Sequence, residues 1–290
     1  MPSRVRTAGR ILDWYARHAR PLPWREPGVT PWAILVSEVM LQQTPVHRVL
    51  PVWESWQNRW PTPDALADDD AGEAVRAWGR LGYPRRAKRL HEAAGVIRDR
   101  HAGRVPDHID ELRALPGVGA YTAAAVAAFA FGQRQVVLDT NVRRLLARID
   151  QGTAFPPSHL SRAETERAER WLPAEDLSAS RWAAASMELG ALVCTARHPD
   201  CPRCPVTESC AWRIAGYPAW DGPERKGQRY AGTDRQCRGT LLAVLRESDR
   251  PVPQDRLLAA WIRDDEQARR ALGTLLEDGL VHRDGSNLHL

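Results

Sequence analysis

Apolar residues recur every three to four positions through most of the chain, which is the spacing of amphipathic helices. A convincing alternating pattern of the kind that predicts a strand occurs only in the last dozen residues. Breaks rich in Pro and Gly, such as RPLPWREPG, LGYP and LPGVG, separate the periodic segments. We therefore predict an all-α core with helices over 5–18, 31–43, 45–59, 70–80, 84–101, 107–113, 119–131, 140–150, 161–172 and 178–193.

The pattern changes after residue 216. Residues 217–234 are polar, contain several glycines and lack periodicity, which is typical of a linker. Three short helical patterns and a hairpin pattern with a Gly-containing turn follow. We predict a helical core over 1–216 and a small winged-helix-like module over 235–290. A generic three-helix cap fits the last segment nearly as well.

Composition and charge narrow the class of protein. A chain of 290 residues, 43% of them hydrophobic, can bury one large or two smaller cores. A net charge of +5 suits a polyanionic partner, although all but two of the 41 basic residues are arginine, which a GC-rich genome explains equally well. The chain has neither a membrane-spanning apolar run nor the apolar stretch of a signal peptide, so we expect a cytoplasmic protein without a membrane partner.

Four of the five cysteines fall within CTARHPDCPRCPVTESC, a segment that begins at residue 194. Clustered thiols in a reducing compartment are more typical of a metal site than of disulfides. Zinc modules usually contain two C-x2-4-C pairs, and here only one pair of cysteines is that closely spaced. The C-x6-C-x2-C-x5-C spacing therefore favours a [4Fe-4S] cluster over zinc or unliganded thiols. The predicted ligands are Cys194, Cys201, Cys204 and Cys210, and Cys237 is expected to be a free thiol.

Two segments place candidate chemistry at helix starts. In LPGVG, which contains Leu115, Gly117 and Gly119, the glycines permit positive φ and leave backbone N–H groups uncovered, so the turn can bind a phosphate. An ordinary helix–helix turn is the alternative. Asp139 lies where an apolar run meets a new helix, so we expect it to cap that helix. The same carboxylate, held at a helix start facing a cleft, could stabilise a developing cation.

Glu38 lies in WAILVSEVMLQQT, a helical segment in which most positions are apolar. Burial raises the pKa of a carboxyl group that lacks a charged partner, and such a group can act as a general acid near neutral pH. The alternative is that Glu38 and Ser37 form the one exposed stripe of the helix. The pattern by itself does not separate the two.

Taken together, the cysteine spacing, LPGVG and SEVMLQQT resemble the helix-hairpin-helix DNA glycosylases with an iron–sulfur cluster, the endonuclease III and adenine glycosylase group. SEVMLQQT is similar to the adenine glycosylase signature and differs from endonuclease III and the mismatch thymine glycosylases, which lack this glutamate. The resemblance covers the core and stops at the linker. It implies a monofunctional enzyme of base excision repair that removes adenine opposite 8-oxoguanine or guanine, acting as a nucleoid-associated monomer on double-stranded DNA.

The resemblance also implies roles for individual residues. Glu38 would protonate adenine N7, Asp139 would stabilise the oxocarbenium-like sugar, and Asn141 with Glu38 would orient the water. Endonuclease III carries a lysine nucleophile where this chain has Tyr121, so strong lyase activity is not expected. The implied DNA-binding residues are Gln43 and Tyr83 as a wedge, Thr44 near the opposing strand, and the hairpin residues Leu115, Gly117 and Gly119. The implied adenine pocket is Leu22, Trp24 and Arg25.

The chain departs from the group at three points. Pro84 stands where the group usually has a second tyrosine, and Ala184 where many members have Gln or Glu. Only 80 residues follow Cys210, too few for the Nudix-like domain with which the group reads 8-oxoguanine. The alternatives are an endonuclease III-like or mismatch thymine glycosylase, and a non-catalytic iron–sulfur protein that binds DNA.

Overall fold

The structure is a computed structural model that describes residues 4–223 and 230–290. Residues 224–229 of the predicted 217–234 linker lie outside the described residues. Helical residues, including short 3-10 and π-helical turns, make up 60% of the described residues, which confirms the all-α class. The helices are α1 (Arg4–His18), α2 (Pro31–Leu41), α3 (Val46–Arg59), α4 (Pro63–Ala67), α5 (Ala71–Ala77), α6 (Arg85–His101), α7 (Ile109–Ala114), α8 (Ala120–Phe131), α9 (Thr140–Leu146), α10 (Arg162–Trp171), α11 (Asp176–Leu192), α12 (Ala211–Ile214), α13 (Asp234–Arg246), α14 (Gln254–Leu258) and α15 (Asp265–Glu277).

The chain forms two compact units. Unit 1 comprises Met1–Ile34, Asp107–Ile109 and Gly119–Glu224, and unit 2 comprises Leu35–Pro106, Asp110–Val118 and Arg225–Leu290. These units do not coincide with the predicted division at residue 216, because the C-terminal segment belongs to the same unit as α3–α6. Within the described part of the chain, no helix combines the length and apolarity needed to cross a bilayer.

The core of unit 1 is built from the apolar faces of α1, α9, α10 and α11. Ile11 and Trp14, three positions apart on α1, are buried in one cluster with residues of the other helices. Trp171 of α10 stacks on Trp182 of α11 with ring centroids 5.8 Å apart. A π-helical turn, Ala147–Gln151, continues α9 toward the cysteine segment. This packing fixes the start of α9 and the end of α11.

Tryptophans and α6 organise the core of unit 2. Trp56 lies edge-on to both Trp60 and Trp78, with centroids 4.8 Å and 5.5 Å away. Helix α6 buries Leu90 and Ile97, two turns apart, and ends at a left-handed residue, Ala102. Ten of the twelve tryptophans of the chain are buried, as expected for core residues.

The C-terminal segment of unit 2 has the order helix, strand, helix, helix, strand, strand. Its strands, β1 (Val252–Pro253), β2 (His282–Asp284) and β3 (Asn287–His289), form an antiparallel sheet in the order β1-β3-β2, with Leu288 opposite both Val252 and Arg283. The helical pattern over 253–262 forms a helix only as far as Leu258, because bonds between residues three apart tighten the chain there. The winged-helix-like identity and the 235–290 boundary stay predictions. We call residues 234–290 the C-terminal module.

Candidate active site and DNA-binding surface

Glu38 lies on the buried helix α2. Every residue from Trp32 to Met40 is buried; Glu38 is 6% exposed and Ser37 is fully covered. The alternative of an exposed stripe shared by Ser37 and Glu38 is therefore wrong. The sequence places a carboxylate in a segment that is otherwise too apolar to face water, so folding buries it.

Asp139 caps α9, as predicted. Its Oδ1 accepts hydrogen bonds from the backbone N–H groups of Asn141 at 2.9 Å and Val142 at 2.7 Å. Its Oδ2 accepts one from Nδ2 of Asn141 at 2.6 Å. Burial nevertheless raises the pKa of Asp139 above its ordinary value, although these donors and the more distant charge of Arg144 oppose the shift.

Asn141 is itself held in one orientation. Its Oδ1 accepts a hydrogen bond from Nη2 of the buried Arg144 at 2.8 Å, and the same nitrogen donates to the carbonyl of Gly190 at 2.6 Å. A Cβ on Gly190 would lie 2.7 Å from the carbonyl oxygen of Asn141, so only glycine lets α11 approach α9 this closely. Nε of Arg144 donates to the carbonyl of Cys194 at 2.8 Å, which connects the start of α9 to the cysteine segment.

The four clustered cysteines line one pocket together with apolar residues and with Arg148, Asp200 and Arg213. Burial, with the three neighbouring thiols adding to it, raises the pKa of Cys204 to about 12. Among the described residues, no three His, Cys, Asp or Glu side chains are grouped closely enough for one ion. All four candidate donors are cysteine thiols, which is the ligand set of a [4Fe-4S] cluster.

Arg148 places a buried cation against this cavity. It is 2% exposed, and its Nη1 donates to Sγ of Cys194 at 3.3 Å and to the carbonyl of Thr195 at 2.7 Å. Its guanidinium lies over the ring of Trp212 at 4.6 Å. A buried cation of this kind stabilises thiolates and orients the loop that carries them. Cys237 lies elsewhere, buried in the C-terminal module as a free thiol.

The predicted adenine-pocket residues lie in unit 1 beside an ion-pair cluster. Leu22 and Trp24 are buried. Glu188 of α11 accepts from Nε of Arg20 at 2.7 Å and from Nη2 of Arg25 at 3.0 Å. Burial opposes ionisation, but the hydrogen bond from Arg20 and the charge of Arg25 outweigh it and lower the pKa of Glu188 to about 2. Nη1 of Arg25 is buried and has no hydrogen-bond partner among the described residues.

In unit 2, the two predicted wedge residues share an uncommon backbone conformation. Gln43 has φ +54° and Tyr83 has φ +49°, the left-handed region that non-glycine residues rarely occupy. Both residues are exposed, and 42% of the Tyr83 surface is accessible. Strained, exposed positions of this kind concentrate at functional sites.

Arg86 of α6 holds both turns. Its Nη1 donates to the carbonyls of Val39 at 2.8 Å, Met40 at 3.0 Å and Gln42 at 2.6 Å, which are at or just past the end of α2. Its Nη2 donates to the carbonyl of Gly82 and to the hydroxyl of Thr44, both at 3.0 Å. Burial lowers the pKa of Arg86 to about 10, which leaves it charged at neutral pH. Thr44 is buried, so its hydroxyl serves this network, and its contact with the opposing strand stays a prediction.

The two glycines of the predicted hairpin differ in conformation. Gly117 has φ +78°, and a Cβ there would lie 2.9 Å from Cβ of Arg89, so this position requires glycine. Gly119 has φ −85° and ψ 177°, which any residue adopts, so it does not use the positive φ that glycine permits. Gly119 caps α8 without a side-chain hydrogen bond, and Leu115 is buried, so a DNA contact at these positions is left to the backbone. Tyr121 is the second residue of α8 and is partly buried.

Comparison with known proteins defines the class. The family model of the HhH-GPD superfamily base excision DNA repair protein matches residues 36–171. In structure the chain is similar to a thermostable thymine-DNA glycosylase, with a TM-score of 0.65, 27% identity and coverage of 73% of this chain and 97% of the other. A structure of endonuclease III in a non-covalent complex with DNA matches with a TM-score of 0.62 over 74% of this chain and 99% of the other; at 23% identity it supports the fold alone.

Comparison of sequences gives the particular family. The chain is 55% identical to the adenine DNA glycosylase of Mycobacterium tuberculosis (strain H37Rv) over 273 residues, which cover 94% of this chain and 89% of the relative. It is 39% identical to the human adenine DNA glycosylase over 217 residues, covering 71% of this chain and 39% of the human protein. The chain therefore belongs to the adenine DNA glycosylase family, whose members are DNA-binding enzymes of base excision repair.

Sequence reasoning missed the residues that hold the candidate site residues in place within each unit, namely Arg86 in unit 2 and Arg144, Arg148, Glu188 and Gly190 in unit 1. Their signal was available but weak. Each of the first four is a charged side chain in a helical segment, and such side chains are usually exposed. Gly190 is a glycine inside a helix, which often marks a close packing contact.

Proposed function

We propose that the protein is a monofunctional adenine DNA glycosylase that hydrolyses the N-glycosidic bond of adenine mispaired with 8-oxoguanine or guanine. The observation that carries the proposal is Glu38. It is a buried carboxylate in SEVMLQQT, in a chain that belongs to the adenine DNA glycosylase family. The reaction needs a proton donor, and the carboxylic acid form of a glutamate side chain can supply one.

The reaction divides between two carboxyl groups. Protonated Glu38 donates its proton to N7 of adenine, which makes the base a better leaving group as the bond between its N9 and C1′ of the sugar breaks. Positive charge then develops on the sugar, and ionised Asp139 stabilises it. Water adds to C1′ and passes a proton back to Glu38, so that the products are free adenine and an abasic sugar.

The surroundings of Asp139 suit this role. Its donors are backbone N–H groups and the Asn141 amide, which fix the carboxylate without neutralising its charge. The sugar cation can therefore be its strongest partner. Asn141 is fixed in turn by Arg144, and an amide held in this way can orient the attacking water together with Glu38.

Adenine recognition is assigned to Leu22, Trp24 and Arg25. A base in a duplex cannot reach a buried acid, so it must be extruded, and Gln43 and Tyr83 are the proposed wedge. The unpartnered Nη1 of Arg25 supports the pocket, because adenine offers ring nitrogens that accept hydrogen bonds. Burying that donor without a partner is costly in the free protein, and a bound base would relieve the cost.

The chain lacks the nucleophile of a lyase at the hairpin. Tyr121 follows Ala120 at the start of α8, and a phenol does not form the Schiff base that a β-lyase requires. We assign Tyr121 a hydrogen bond to the sugar region of the DNA.

We further propose that Cys194, Cys201, Cys204 and Cys210 hold a [4Fe-4S] cluster. When bound, the cluster supplies a redox-sensitive structural anchor for the loop that carries it. Arg148 is positioned to stabilise the thiolates. A brown protein with about four irons per chain is expected, and a colourless protein with one zinc would contradict the assignment.

The test is single-turnover base release from duplexes with A opposite 8-oxoguanine, A opposite G, A opposite T, and T opposite G. The enzyme is compared with Glu38→Gln and with Glu54→Gln, an exposed glutamate of α3, as the matched control. We expect adenine release from the first two duplexes, lost in Glu38→Gln but kept in Glu54→Gln, while DNA binding is unchanged in both variants. Thymine release would instead indicate a mismatch thymine glycosylase. Trapping of an enzyme–DNA adduct by borohydride would indicate an endonuclease III-like lyase.

A further inference from the structure

The C-terminal module is packed onto the helices of unit 2 rather than tethered loosely to them. Nη1 of Arg76, on α5, donates to the carbonyls of Leu245 at 3.0 Å and Ser248 at 3.1 Å, around the end of α13. In return, Nε of Arg246 donates to the carbonyl of Val75 at 3.1 Å. The last carbonyls of α13 lack partners within their own helix, so Arg76 satisfies groups that folding would otherwise leave unpaired.

A second set of contacts joins the module to α6. Asp278 binds both Arg85 of α6 and Arg238 of α13, with Nε of Arg85 2.6 Å from Oδ2. The carbonyl of Asp278 also accepts from Nζ of Lys88 at 3.0 Å. Burial favours the neutral form of Asp278, but Arg85 and Arg238 outweigh this effect and lower its pKa. Asp278 is therefore ionised at neutral pH. These two sets of contacts fix the orientation of α13 on α5 and α6.

The fixed orientation brings Arg235 to the proposed wedge. Arg235 is an exposed residue in the first turn of α13, and its Nη1 lies 3.5 Å from the hydroxyl oxygen of Tyr83. Its guanidinium also lies 5.1 Å from the centre of the ring of Tyr230, four residues before the module. The module therefore delivers a cation to an exposed aromatic residue with a strained backbone.

Helix α6 joins this point to the hairpin. Tyr83 lies just before α6, Arg86 lies beneath its ring at 5.6 Å, and the Gly117 turn packs on Arg89 one turn further along. The rise of an α-helix separates Arg85 from Arg89 by about 6 Å. The module, the wedge turn and the hairpin thus share one short stretch of α6.

The module does not have the charge distribution of a DNA-binding domain that inserts a recognition helix into a groove. A recognition helix presents its N-terminal residues to base edges, and α15 begins with Asp264, Asp265 and Glu266. Three carboxylates at that position would be repelled by the phosphates on either side of the groove. Contact with DNA through the Arg235 side of the module avoids this repulsion.

We propose that the C-terminal module is part of the DNA-binding surface of unit 2, and that Arg235 binds a backbone phosphate beside the extruded adenine. This inference rests on the proposed function, which supplies the substrate. The match to the mycobacterial relative covers 94% of the chain and so extends into the module, whereas the match to the human protein covers 71%.

The test measures binding of the full-length protein to a duplex that carries a non-hydrolysable 2′-fluoro-adenosine opposite guanine, at several salt concentrations. We expect Arg235→Ala to raise the Kd about fivefold to tenfold and to reduce the slope of log K against log salt by about 1, the loss of one phosphate contact. Arg235→Lys should keep the slope. The matched control is Arg256→Ala, which removes an exposed arginine of α14 in the same module and should change the Kd less than about twofold.

A second measurement locates the phosphate. Neutral methylphosphonates are introduced one at a time on both strands near the adenine, and the wild-type protein is compared with Arg235→Ala. One position should weaken wild-type binding but have no further effect on the variant. If Arg235→Ala matches Arg256→Ala in both Kd and slope, or no methylphosphonate shows this coupling, the proposal is wrong. Failure of the proposed function is distinguishable, because wild type would then release no adenine whatever the binding data show.

Discussion

Two carboxylates of unit 1, one at the start of α9 and one in the middle of α11, are shifted in opposite directions. Burial raises the pKa of Asp139, whereas two arginines overcome burial and lower the pKa of Glu188 to about 2. The difference lies in their partners. Asp139 accepts from neutral donors, and Glu188 accepts from charged guanidinium groups that pair with it directly.

The comparison separates a carboxylate that holds structure from one available for chemistry. An ion pair satisfied within the protein has little charge left for a substrate, and breaking it is costly. A carboxylate held by amide donors, with only the more distant charge of Arg144 acting on it, can stabilise a cation that forms only during a reaction, at some cost in stability. Glu188 fits the first description and Asp139 the second.

The largest expected effect is on catalysis. Asp139→Asn should lower single-turnover adenine release by about 10²-fold to 10³-fold, because the developing sugar cation loses its counter-charge. DNA binding and folding should persist, since asparagine caps a helix nearly as well as aspartate. A variant with wild-type release rates would show that Asp139 is a helix cap and nothing more.

The next effect is on stability. Glu188→Gln should lower the free energy of unfolding by about 3 kcal/mol, because it leaves Arg20 and Arg25 without their anionic partner in a buried site. Chemical denaturation at neutral pH measures it. Glu166→Gln is the control, since Glu166 pairs with Arg162 on the surface and such pairs contribute about 1 kcal/mol or less. Equal losses in the two variants would contradict the expectation that the ion pairs of Glu188 contribute more to stability than the ion pair of Glu166.

A smaller loss is expected at the contact between α9 and α11. Gly190→Ala should cost about 1–3 kcal/mol and reduce adenine release, because the added methyl group meets the backbone of Asn141. Gly95→Ala, in α6, is the control, since a Cβ there meets nothing within 4 Å. Unchanged release in a destabilised Gly190→Ala protein would mean that Asn141 does not depend on this packing.

The most discriminating prediction concerns the sign of a pH dependence. The contribution of Glu188 is present above its ordinary pKa of 4.5 and lost as the pH falls toward about 2, so the deficit of Glu188→Gln should shrink over that window. Burying ionised Asp139 costs stability above its raised pKa, and this cost disappears once the pH falls below the ordinary value of 3.8. Asp139→Asn should therefore be more stable than wild type at neutral pH, and the advantage should fade in acid. Denaturation at several pH values tests both signs.

Much of the fold followed from periodicity and punctuation. The long helices begin and end close to the predicted residues, and Asp139 caps α9 as its position indicated. The short helix α14 and strand β1 were poorly predicted, because a few residues carry too little periodic signal. The sequence also did not say which of the two hairpin glycines adopts positive φ, because glycine permits that conformation without requiring it; only Gly117 adopts it.

The sequence by itself determined the helical class, the cysteine cluster and the residues with candidate chemistry, because spacing and residue type are local properties. Only the tertiary structure decided that Glu38 and Ser37 are both covered, that Arg86 holds the two strained turns, and that Glu188 is paired while Asp139 is not. It also decided that the C-terminal module lies on α5 and α6 with Arg235 beside Tyr83. Burial and ion pairing depend on residues far apart in the chain, and the pattern around each residue does not specify which distant side chains will meet it.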